Sequence, residues 1–191
     1  MATDVGDPDY LLHFAGRISR YALRLPDFRT SGDDVLTEQI HDRIADLGDL
    51  LTVLAFEHYL QRQEAARFPH WDTQARRRGT AALTGAAQPV GHALADLGAV
   101  VERLGFLHET AEYAPTAEHT DAVRSARDVI RGRLASARSH LNAAARRLSE
   151  DAEQLLDPPG KNRHTHGVAP FHAPASTACL PPAPHPPSPS R

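Results

Sequence analysis

The chain is expected to be all-α: an elongated antiparallel bundle of three long helices plus a short N-terminal helix, with a disordered Pro-rich C-terminal tail. Three observations carry this. Apolar residues recur at steps of three and four through most of the chain, and no segment alternates with period two as a half-buried strand would. Ten of the 15 prolines crowd into residues 157–191. The expected division is therefore a helical domain over residues 1–156 and a Pro/His-rich tail over 157–191 that cannot bury enough apolar surface to fold.

A first helix is expected over residues 8–25. Asp7 can cap it, Pro8 suits its first turn, and Leu11, Ala15, Ile18, Ala22 and Leu25 share a face before Pro26 stops it. Ser31 and Asp34 form an S-x-x-D arrangement that can open a long helix running to about Arg67, with the seam Ile40, Ile44, Leu47, Leu51, Leu54. Phe68, Pro69, His70 and Trp71 interrupt it. Helix should resume between Asp72 and Thr80, meet Pro89 as a kink or a late start, and carry Leu94, Leu97, Val101 and Leu104 to about Tyr113. Thr116 can cap a last helix whose Ala-rich seam, Val123, Ala126, Ile130, Leu134, Ala137, Leu141, Ala144, Leu148, Ala152, Leu155, permits close approach but buries little area by itself. That seam calls for partner helices.

The bulk properties exclude little by themselves. The formal net charge of -3 gives no general pull toward nucleic acid or anionic lipid. Cys179 is the only cysteine, so no intrachain disulfide or Cys-based zinc site is available. The acidic N-terminal stretch does not read as a signal peptide, and no apolar run reaches the roughly 20 residues of a membrane span. A cytoplasmic location is expected. Twenty of the 21 basic residues are Arg, a compositional bias that lowers the information carried by any one of them.

IADLGDLLTVLAFEH at residues 44–58 is echoed by LADLGAVVERLGFLH at 94–108, with seven of the fifteen positions identical. On two antiparallel helices with a turn near residue 73, Gly48 falls level with Gly98. Each glycine costs roughly 1 kcal/mol in a helix interior, so the expected explanation is a backbone approach at a pseudo-symmetric helix crossing. The same register sends His58 and His108 to opposite ends of the hairpin.

Charges form two stripes. Asp34, Glu38, Asp42, Asp46 and Asp49 line the first long helix, and Arg124, Arg127, Arg131 and Arg138 line the last. In an up-down-up bundle these helices run parallel, so the stripes are expected to face each other and set register rather than to follow a phosphate backbone. Arg76, Arg77 and Arg78, near Trp71, are the remaining candidate patch for a nucleic-acid or protein contact, although aromatics for base stacking are few.

Glu38 and His41 make a Glu-x-x-His, which puts both side chains on one helix face as in di-iron bundles, but no second copy occurs. The hairpin register brings His41 toward His108 and Glu112, with His119 just beyond the next turn. Glu38, His41, His108, Glu112 and His119 are therefore the candidate set for a metal-dependent bundle enzyme. The pairs Glu109/Glu112 and Glu118/Asp121 superficially resemble the acidic motifs of all-α nucleotide pyrophosphohydrolases, but they lie too close together across Pro115 to face each other from two long helices. No phosphate-loop, dinucleotide, zincin or nucleophile-elbow motif occurs.

The reading that fits best is a non-enzymatic bundle with no cofactor, acting through a protein partner or through self-association as an adaptor, regulator or scaffold. A metal-dependent enzyme and a nucleic-acid-binding protein are the alternatives. The Ala-rich last seam, which three helices would leave partly uncovered, motivates the preference.

Overall fold

The computed structural model describes residues 4–28, 33–114 and 116–156. They form four helices: α1 (Pro8–Arg24), α2 (Asp33–Arg67), α3 (Gln74–Thr110) and α4 (Ala117–Leu156), with one 3-10 turn, Pro69–Trp71, between α2 and α3. The bundle is all-α and elongated as expected; α4, with 40 residues, is about 60 Å long at 1.5 Å per residue. The expected cap at Ser31 and the tail over 157–191 lie outside the described residues. Among the described residues, no helix is long and apolar enough to cross a membrane.

Local chemistry sets the helix ends. The Asp7 carboxylate accepts the Asp9 N–H at 3.0 Å and Pro8 occupies the first turn of α1, satisfying donors that the helix itself cannot. Between α2 and α3 the chain reverses on an aromatic step, with Trp71 stacked on Phe68 at 4.8 Å. The Thr73 hydroxyl then accepts the Arg76 N–H at 3.2 Å and starts α3. Thr116 does the same for α4 through the His119 N–H at 3.1 Å. Pro89 lies inside a continuous α3, so the expected late start does not occur, although the ring removes the bond that the Gly85 carbonyl would otherwise accept.

Packing centres on α3 and α4, which run antiparallel. Their buried rows are Leu83, Ala86, Val90, Ala93, Leu97, Val100, Leu104 and Leu107 on α3, and Ala126, Ile130, Leu134, Ala137, Leu141, Ala144, Leu148 and Ala152 on α4. Both rows step by four and three, as an interlocking seam requires. Of the residues expected on the α3 seam, Leu97 and Leu104 hold, Leu94 is only partly buried and Val101 is exposed; Ala93 and Val100 take their places.

α1 packs along the C-terminal half of α4 through Leu11, Phe14, Ala15, Ile18 and Ala22. Arg138 of α4 closes its far end, donating to the carbonyls of Leu25 at 3.0 Å and Ala22 at 3.4 Å, where the helix leaves acceptors unpaired. The Ala-rich seam is therefore covered by α1 and α3 within one chain. The expectation that it would be left partly open does not hold.

α2 rests mainly on α3, and among the described residues it makes no close backbone approach to α4. Its fully buried row is Leu36, Ile40, Leu47, Leu50 and Leu54, while Ile44 and Leu51 are only partly buried. The true row passes through Arg43, which is half-buried and bonded to Asp46, so a charged residue stands at a core-spaced position. After Leu54, α2 has no fully buried apolar side chain.

The N-terminal segment crosses the start of α3 in close contact. Val5 is fully buried, Asp4 reaches Arg76 at 3.4 Å, and a Cβ placed on Gly79 would lie 2.0 Å from the Val5 carbonyl oxygen. Only glycine fits there. At Gly48 and Gly98 the opposite holds: a Cβ at either would meet no neighbouring atom within 4 Å. The expected backbone crossing at that pair is absent, because the contacts Glu64–Arg76 and His58–Thr84 shift the hairpin register by a few residues and both glycines face outward. His58 and His108 are at opposite ends as expected, His58 beside Thr84 and His108 in a groove beside Thr37. These two environments give opposite signs for one substitution: Gly79→Ala should cost about 2 kcal/mol or more in urea unfolding, whereas Gly98→Ala should gain up to about 1 kcal/mol.

Candidate functional site

Neither residue set singled out from sequence is gathered by the fold. Glu38 and His41 lie on α2, His108 lines a groove with Thr37, Val101, Leu104, Gly105, Leu107 and Ala111, and the His119 ring sits against Tyr113 at 6.2 Å. Glu112 is in the exposed turn after α3. Among the described residues, no three His, Cys, Asp or Glu side chains come together as a group that could hold a metal. His108 stands in a groove beside Thr37, one turn from His41, while the start of α4 makes no close backbone approach to α2.

The Arg candidates divide in the same way. Arg76 is mostly buried, with a side-chain exposure of 15%, and donates to Glu64 at 2.7 Å, tying the end of α2 to the start of α3. Arg77 pairs with Asp72 at 3.3 Å, and Arg78 lines a groove between α3 and α4 beside Arg147 and Asp151. Successive helix positions point about 100° apart, so the three do not present one surface. On α4, Arg124 bonds Asp121 at 2.6 Å and Arg131 bonds Asp128 at 2.7 Å, each within its own helix; Arg127 is exposed and Arg138 caps α1. Among the described residues, Asp46, Arg124 and Arg131 of the two stripes bond within their own helices, and α2 makes no close backbone approach to α4.

A different acid is buried. Asp96, in the second ADLG, has only 7% of its side chain exposed; one oxygen accepts Arg133 Nη1 at 2.9 Å, and the other, Oδ2, has no hydrogen-bond partner and lies 3.7 Å from His140 Nε2. His92, one turn before Asp96, places its ring 5.2 Å from that of His140. This carboxylate–guanidinium–imidazole cluster joins α3 to α4 at mid-length. The adjoining groove is lined by Gln88, Pro89, His92, Ala143, Arg146, Arg147 and Glu150, so it reaches His92 but neither Asp96 nor His140. The aspartate of the first ADLG, Asp46, bonds Arg43 within α2 instead, so the two copies of the echo do not play one role.

The outer side of α2 exposes two aromatic side chains. Phe56 and Tyr59 are each 56% exposed, and the Tyr59 hydroxyl accepts from Gln63 Nε2 at 3.0 Å, which holds the ring in place. At 100° per residue, Phe56 points away from Leu47 and Leu54, which face the core. Both aromatics fall off the row that packs on α3.

No protein-family model, curated protein or solved structure matches this chain.

The Asp96 cluster makes a sharp energetic prediction. Arg133→Ala leaves a buried carboxylate without its ion-pair partner, and because Arg133 is itself 53% exposed the cost should be about 1–2 kcal/mol, below that of a fully buried pair. Asp96→Asn, which removes the charge and keeps the shape, should cost less. Urea unfolding of the two variants measures the order, and the reverse order would contradict a charge-pairing role.

Proposed function

We propose that the protein is a non-enzymatic helical bundle that acts through protein contacts, as an adaptor, regulator or self-associating scaffold, and that its contact surface is the outward side of α2. The observation that carries this reading is the pair Phe56 and Tyr59, half-exposed on a helix segment with no fully buried apolar residue of its own. Aromatic side chains supply large contact area at low conformational cost, which is why they are favoured at the centres of interfaces. A helix anchored along one side leaves the other available to a partner helix or groove. The proposed location is the cytoplasm.

The surface differs from the one expected. Sequence alone placed the uncovered seam on α4, but α1 and α3 cover that seam, and the outward aromatics Phe56 and Tyr59 belong to α2.

A photo-reactive phenylalanine analogue at position 56, expressed in the full chain in its native cells, should cross-link protein several-fold more than the same group at Ser125, an exposed site on α4. Equal yields at the two positions would remove α2 as the contact surface.

A further inference from the structure

The outer side of α2 carries a second heptad pattern. Asp42, Asp49, Phe56 and Gln63 recur every seven residues, and Thr52 and Tyr59 fall between them at steps of three and four; all six are exposed. The inner row that packs on α3 has the same period through Leu36, Ile40, Leu47, Leu50 and Leu54. Four of the six outer residues are polar, so this side is a polar strip with an aromatic centre at Phe56 and Tyr59 rather than a second apolar row.

We propose that the occupant of the outer seam is a second copy of this chain, docked antiparallel about a two-fold axis at Phe56. The inference rests on reading the α2 face as a protein-docking surface and adds the partner. The charge order on the seam selects both the partner and its direction. Acids lie before the aromatic centre, at Asp42 and Asp49, and a base lies after it, at Arg67, whose guanidinium stands over the Phe68 ring at 5.5 Å. Parallel pairing would set Asp42 against Asp42 and Asp49 against Asp49. Antiparallel pairing sets Asp49 opposite Gln63 and brings Arg67 within a turn of the partner's Asp42 and Asp49, twice by symmetry. A surface that is acidic on one side of an apolar centre and basic on the other is complementary to itself under a two-fold rotation, which is the requirement for an isologous dimer. At the centre, Phe56 meets Phe56, and Tyr59, already held by Gln63, lies over Val53 of the other copy.

The test is light scattering and sedimentation equilibrium of the full chain from micromolar to hundreds of micromolar concentration. A concentration-dependent dimer is expected. Phe56→Glu should abolish it while leaving the helical circular dichroism unchanged, since the residue is outside the core. Arg67→Asp should weaken the dimer roughly tenfold, because each exposed ion pair is lost twice, and Asp42→Arg added to it should recover most of that loss. A strict monomer at hundreds of micromolar overturns the proposal, as does a dimer indifferent to Phe56→Glu or a cross-link from position 56 that falls within the same chain. If the purified chain is monomeric while position 56 cross-links a different protein in cells, the second copy is excluded and the docking surface stands.

Discussion

The antiparallel pairing of α3 with α4 is the constraint on which the rest of the molecule depends. Small residues at Ala86, Ala93, Ala126, Ala137, Ala144 and Ala152 keep that seam narrow, so the two long helices approach closely and their larger residues interlock between the alanines. A narrow seam buries little area per turn, and the pair needs flanking cover to be stable. α1 supplies it along half of α4 and α2 supplies it along α3. α2 packs on α3 and makes no close backbone approach to α4, so its far side is left facing outward.

The buried polar contacts are placed where they hold this arrangement together. Asp96 and Arg133 link α3 to α4, Arg76 and Glu64 link α3 to α2, and Arg138 links α4 to the end of α1. Each link joins α3 or α4 to a neighbour. An unpaired buried charge is costly, so a sliding of α3 against α4 that separated Asp96 from Arg133 would be penalised in a way that the repetitive Ala and Leu rows alone would not ensure. Among the described residues that specificity comes with two buried atoms that lack a hydrogen-bond partner, Arg76 Nε and Asp96 Oδ2, the latter next to the half-exposed imidazole of His140 and the exposed one of His92.

Much of the fold was legible because capping chemistry is local. Asp7 with Pro8, Thr73 and Thr116 act through neighbours in sequence, so α1 and α4 run very nearly as expected and α3 begins within the expected interval. The α4 row was legible for a related reason: its apolar residues recur without interruption. On α2 the row passes through Arg43, and reading only apolar residues turned the helix toward Ile44 and Leu51. The choice of neighbours was not legible at all. Charge stripes on α2 and α4 suggested pairing, but each acid or base can be satisfied by a residue three positions away, as Asp46, Arg124 and Arg131 are. The outward Phe56 and Tyr59 of α2 were not foreseen, because the Ala-rich α4 was the helix expected to keep an uncovered seam. The signal, two aromatics off the packing row, was visible only once the row itself was known.

Arg138 reaching back to Ala22 and Leu25 also bears on how the chain is made. Of the four described helices α1 is synthesised before the others, but the one that covers its apolar face emerges more than a hundred residues later. At ordinary elongation rates, Leu11, Phe14 and Ile18 remain without their native cover for on the order of ten seconds. The α2/α3 hairpin has no such delay, since its two helices are joined by only the six residues 68–73. The molecule is therefore expected to assemble from its middle outward, with α1 waiting for α4.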